Sequence, residues 1–95
     1  MSDLKTQLRE QLAEMEWHFL IPHAQRDAVI VVNKELDLVE VGFAIANDNT
    51  NLVQHWISEQ LIQKPSVKQL SVWNDDSKKK FYTIIVKPFV LVSPV

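Results

Sequence analysis

The segment from Phe81 to Val92 constrains the fold more than any other part of the chain. β-Branched and aromatic residues dominate it, which predicts a β-strand. Side chains along a strand alternate between the two faces of its sheet, and here both alternating sets are mainly apolar. Because Pro88 has no amide hydrogen to donate, we expect the strand to lie at a sheet edge or to break into two there.

Three other segments have the spacing of amphipathic helices. Apolar residues recur at helical positions from Leu4 to Met15, and Pro22 predicts that this helix ends and turns within Trp17 to Arg26. A second apolar stripe predicts a helix from about Leu52 to Gln63. The segment Ser66 to Gln69 then matches a capping box, so a short third helix is expected to begin there.

Two β-branched segments lie between the first and second predicted helices. Ala28 to Val32 and Leu38 to Ala46 both favour strands, and the turn-forming residues between them predict an antiparallel hairpin. Gly42, the only glycine, would then mark a bulge or a close approach by another backbone. The predicted fold is a single α+β domain over residues 1–95, with about three antiparallel strands and three helices in the order α-β-β-α-α-β.

Both faces of the predicted sheet are apolar, so the three predicted helices could cover them in two ways. If three modest helices cover one face, the other needs a partner, which predicts a homodimer or a complex with another protein. The interface would then include Ile84, Ile85 and Val86. If the helices divide between the two faces, no surplus apolar face remains.

The composition of the chain limits the kinds of binding partner and the cellular compartment that we expect. The chain has no cysteine, which excludes disulfides and thiolate metal sites, and its formal charge of -2 does not favour nucleic acid or anionic membranes. Lys78 to Lys80 precede two aromatic residues, but a solvated turn is the more common role of such a run. No export signal or apolar membrane span is present, so we expect a cytoplasmic protein without a membrane partner.

Polar residues near the helices provide the candidates for a ligand site. His18, His23 and His55 lack the spacing of a metal motif, and Asn47 to Asn51 suit helix capping better than calcium binding. No motif predicts a catalytic residue, a metal or a cofactor. The predicted pocket requires five side chains to converge in space: Trp17, His23, Arg26, Asp48 and His55.

Several stretches resemble a known family of short bacterial proteins, largely cyanobacterial, whose function is unknown. They are Glu16–Trp17, Leu20–Val32, Leu38–Gly42, Ala44–Asp48, Gln54–Ile57 and Lys87–Val92. The resemblance spans most of the chain and implies one complete small domain. It implies no activity, ligand or catalytic residue.

Two hypotheses for function follow from the sequence. The first is a non-enzymatic protein-interaction or regulatory module that self-associates through an apolar sheet face. The alternative is a small-molecule or metal binding protein, which could be an enzyme, with its pocket near His23, Arg26 and His55.

Overall fold

The structure is a computed structural model that describes residues 3–95. The described chain contains five helices, α1 Leu4–Gln11, α2 Trp17–Gln25, α3 Leu38–Ala46, α4 Thr50–Ser58 and α5 Val67–Asp75. It also contains five strands, β1 Ala13–Glu16, β2 Val29–Val32, β3 Ile62–Gln63, β4 Lys80–Val86 and β5 Phe89–Pro94. Each helix described in residues 3–95 has at most nine residues, too few to span a lipid bilayer.

All five strands form one mixed sheet in the order β1-β4-β5-β2-β3. Strand β5 pairs in parallel with β2, and the other three pairings are antiparallel. The α+β class is therefore confirmed. The predicted set of three antiparallel strands and three helices, with its order, is wrong.

Helices cover both faces of the sheet. On one side, which we call the three-helix face, α1, α3 and α4 pack over Ile84 and Leu91. On the other, the two-helix face, α2 and α5 pack over Phe81, Val90 and Val92. The apolar side chains of β4 and β5 alternate between the two faces of the sheet, so they belong to two separate cores within one molecule.

The predicted strand from Leu38 to Ala46 is wrong, because this segment is helix α3. Asp37 begins it by accepting a hydrogen bond from the amide of Val39, at 2.8 Å. Leu38, Val41 and Gly42 are buried, and their three- and four-residue spacing from Leu38 places them on one side of a helix. The predicted hairpin is therefore absent from the structure, and packing against the sheet outweighs the β propensity of this segment.

Gly42 lies in helix α3 rather than in a strand, so the predicted bulge is wrong, and its three nearest neighbours are side chains rather than another backbone. A Cβ atom at this position would lie 3.3 Å from Cγ2 of Val86 and 3.6 Å from side-chain carbons of Leu8 and Leu91. The missing side chain allows α3 to lie directly on β4 and β5.

Element boundaries near the predicted helices also differ. The first helix ends at Gln11, and the chain from Ala13 to Glu16 forms edge strand β1. Trp17 to Gln25 is a helix that contains Pro22 rather than a helix end and turn. Helix α4 ends at Ser58, so the last residues of the predicted second helix form a turn and strand β3 instead.

Other local predictions are confirmed. The Ser66 hydroxyl accepts from the Gln69 amide at 3.1 Å and the Gln69 side chain accepts from the Ser66 amide at 2.9 Å, which completes the capping box. The long C-terminal strand breaks at Pro88 into β4 and β5. Strand β2 matches the predicted Ala28–Val32 segment to within one residue.

Candidate functional site

An open cleft of about 670 Å³ lies on the three-helix face, between one end of the sheet and helices α3 and α4. Volumes of this order are typical of sites for small organic molecules. A second, smaller cavity of about 270 Å³ lies near β3 and is lined mainly by polar and loop residues. The larger one is therefore the better candidate for a binding site.

The cleft has an apolar interior and a polar mouth. Three apolar lining residues come from the sheet and four from helices α3 and α4: Ile30, Ile62, Phe89, Ala44, Ile45, Val53 and Ile57. The remaining lining residues are polar and exposed, so they lie where the cleft opens to solvent: Asp48, Asn49, Thr50, Gln54, Gln63 and Lys64. This combination suits a ligand with an apolar body and one polar end.

The reversal between α3 and α4 positions Asp48 at the mouth. The amide of Asp48 donates to the carbonyl of Ile45 at 3.1 Å, and the amide of Asn49 donates to the carbonyl of Ala44 at 2.9 Å. These are the two hydrogen bonds of a Schellman motif, and Asp48 takes the left-handed conformation that it requires, with φ of 55°. The Asn49 side chain then accepts from the amide of Leu52 and begins α4, which confirms the capping role predicted for this segment.

The two charged residues of the lining differ in their partners. Lys64 forms an ion pair with Asp27, which lies outside the cleft at the end of α2. The Asp48 carboxylate forms no hydrogen bond or ion pair with any residue in the described part of the chain. Asp48 is therefore the unneutralised charge of the lining.

The structure does not bring the five candidate ligand residues into one site. Trp17 is fully buried in the core of the two-helix face, where its indole Nε1–H donates to Asn74 at 2.8 Å. His23 and Arg26 hydrogen-bond to each other at the end of α2. Asp48 lines the cleft. His55 does not line it and is exposed on α4.

The three predicted interface residues differ in accessibility. Ile84 is fully buried in the core of the three-helix face, so it is unavailable to a partner in this structure. Val86 is half-buried and packs against the same core, close to Gly42. Ile85 points to the opposite face and keeps 46% of its surface exposed.

Lys78 and Lys79 lie in the loop before β4, and Lys80 is the first residue of that strand. The same loop helps to begin α2. The carbonyls of Ser77 and Lys79 accept hydrogen bonds from the first amides of that helix, at 2.9 and 2.8 Å. Of the two aromatic residues that follow the run, Phe81 is buried and its ring cannot stack on a nucleic-acid base, whereas Tyr82 is 43% exposed. The loop therefore has a structural role that accounts for its position.

The histidines do not form part of an acidic or histidine-rich cluster. Within residues 3–95, no three side chains of histidine, aspartate or glutamate come together in a way that could hold a metal ion. The exposed His18 pairs with Glu16 at 2.7 Å, which gives it a local partner on the surface.

Comparisons with known proteins assign the chain to a family. Residues 3–94 match the family described as proteins of unknown function, DUF2288. The chain belongs to the DUF2288 family. The predicted membership of an uncharacterised family is thereby confirmed.

A solved structure agrees with the fold of this DUF2288 chain. The NMR solution structure of PA1075 from Pseudomonas aeruginosa is similar, with a TM-score of 0.82 and 28% sequence identity. The match covers 99% of this chain and 86% of PA1075. No curated protein matches the sequence.

Proposed function

We propose that this protein binds a small, mainly apolar organic molecule in the cleft between the sheet and helices α3 and α4. The single observation that carries the proposal is an open cavity of about 670 Å³ whose interior is apolar and whose polar groups lie at the mouth. Burial of apolar ligand surface would supply the affinity, and the exposed polar groups would orient the ligand.

Substitution of Ile57 offers a direct test. This residue lines the cleft and is 55% exposed, so Ile57→Asn should remove apolar contact area with little effect on stability. We expect a neutral probe, 4-phenylbutanol, to shift backbone amide NMR signals of the α3–α4 turn and β3 in the wild type, and to bind the variant about threefold more weakly.

Val72→Asn is the matched control for that test. Val72 is 54% exposed on α5, away from the cleft, so its replacement should leave probe affinity unchanged. Signal changes that cluster on the two-helix face, or an absence of changes at saturating probe, would contradict binding in the cleft.

We also propose self-association, through the end of β4. Strand β1 pairs with β4 only from Lys80 to Thr83, and within the described sheet residues 84–86 pair with β5 alone. The exposed apolar side chain of Ile85 lies in this segment. A strand segment open along one edge and carrying an exposed isoleucine favours contact with a second copy.

Ile85→Glu should prevent this contact, because it places a charge at its centre. We expect light scattering after size exclusion to give a dimer mass for the wild type and a monomer mass for Ile85→Glu. Val67→Glu, which replaces an apolar residue that is 86% exposed on α5, should remain dimeric. A monomeric wild type at about 100 μM, well above the Kd of typical stable dimers, would contradict the proposal.

The expected setting of both activities is the cytoplasm of a bacterium. This location and the largely cyanobacterial distribution of the family remain predictions from the sequence. Cell fractionation with an antibody against the untagged protein would test the location.

A further inference from the structure

We infer that the cleft selects organic cations, in which an ammonium group at the mouth pairs with Asp48 while an apolar body fills the interior. The inference rests on the proposed binding function and specifies the chemical class of its ligand. The preference for a cation is inferred from the distribution of charged side chains at the mouth of the cleft.

The charged lining residues and the ion-pair partner of Lys64, taken together, carry one more negative than positive charge. Asp27 pairs with Lys64, so the positive charge of Lys64 is already balanced by a protein carboxylate. Asp48 has no such partner among the described residues, and it lies directly on the lining. An anionic ligand would have to compete with Asp27 for Lys64 and would also be repelled by Asp48.

The interior explains why an apolar body must accompany the cation. Ala44 and Ile62 are buried at the inner end of the cleft, while Asp48 is exposed. A simple inorganic cation would leave the apolar interior unfilled and would meet only one carboxylate. An ammonium group joined to an aryl or alkyl chain would use both parts of the cleft at once.

The backbone at both aspartates makes a clean charge test possible. Asp48 and Asp27 have φ values of 55° and 60°, in the left-handed region. Asparagine also tolerates this region and has nearly the same shape as aspartate, so Asp48→Asn and Asp27→Asn should preserve the two turns. Each substitution then removes a charge without changing the path of the chain.

The experiment measures affinities of three probes that share one apolar body, 4-phenylbutylamine, 4-phenylbutanol and 4-phenylbutanoate, by NMR titration at pH 7 and low salt. For the wild type we expect the amine to bind about three to five times more tightly than the alcohol, and the carboxylate to bind most weakly. In Asp48→Asn the amine should lose its advantage over the alcohol. In the double variant Asp27→Asn/Asp48→Asn, which frees Lys64, the carboxylate should become the tightest probe.

Asp75→Asn, at the end of α5, is the control for a general effect of net charge. It should leave the preference for the amine unchanged. Equal affinities for amine and alcohol, a wild-type preference for the carboxylate, or an amine preference that survives Asp48→Asn would overturn the cation inference while leaving ligand binding in the cleft intact. Failure of all three probes to bind would instead refute the binding function on which the inference rests.

Discussion

Trp17→Ala is expected to lower the free energy of unfolding by about 3–5 kcal/mol. Trp17 is fully buried, its ring centroid lies 5.0 Å from that of Trp73 and 5.6 Å from that of Phe81, and its indole N–H is hydrogen-bonded to Asn74. Alanine would leave a large cavity in the core of the two-helix face and remove the donor from that hydrogen bond. Urea denaturation followed by far-ultraviolet circular dichroism measures the loss.

Phe19→Ala provides the comparison within the same helix. Phe19 is 57% exposed, so its replacement should change the stability by less than about 0.5 kcal/mol. A typical domain has a total stability of about 5–15 kcal/mol, so the Trp17 variant should be visibly destabilised and could unfold at 37 °C. A loss below about 1 kcal/mol for Trp17→Ala would show that the residue does not occupy the packed core described above.

Ile84→Glu is expected to prevent folding at neutral pH, whereas Ile85→Glu should leave the fold intact. The two residues are neighbours in β4 but point to opposite faces, and Ile84 is fully buried while Ile85 is partly exposed. A carboxylate at position 84 would lie in the apolar core of the three-helix face without a partner, which costs several kcal/mol. Dispersion of the amide and methyl signals in proton NMR spectra distinguishes folded from unfolded variants.

This pair of variants also separates a structural role from an interface role in β4. If Ile84→Glu folds normally, the assignment of Ile84 to the core is incorrect. If Ile85→Glu is unfolded as well, its effect on oligomeric state cannot be attributed to a lost contact between copies, and the smaller change Ile85→Ser should be used in its place.

Local signals explain what could be predicted from the sequence. The capping box at Ser66 and Gln69 depends on residues three positions apart, and the break at Pro88 depends on a single missing donor. The burial of the three tryptophans follows from their large apolar surface on helical stripes. Each of these features is decided within a few residues of the chain.

Features that depend on distant residues could not be predicted in the same way. The segment Leu38–Ala46 favours a strand by propensity, and it becomes a helix because it packs on β4 and β5, which lie far along the chain. The signal available for a helix was Asp37, a common N-cap residue immediately before the apolar segment. The cleft combines Ile30, Ala44, Ile57 and Phe89, which come from four different elements, so no motif in the sequence marks it.

The strand order has a consequence for how the protein is made. Strands β4 and β5 occupy the interior of the sheet but follow all the other described elements in the chain, so during synthesis β1 and β2 must wait for them. Until the ribosome has released the β4–β5 hairpin, the described strands can form only the short β2–β3 pairing, and the apolar sides of all five described helices have only that pairing to cover. The nascent chain therefore passes through a stage in which its apolar surfaces are exposed, and we expect chaperone binding to matter most at that stage.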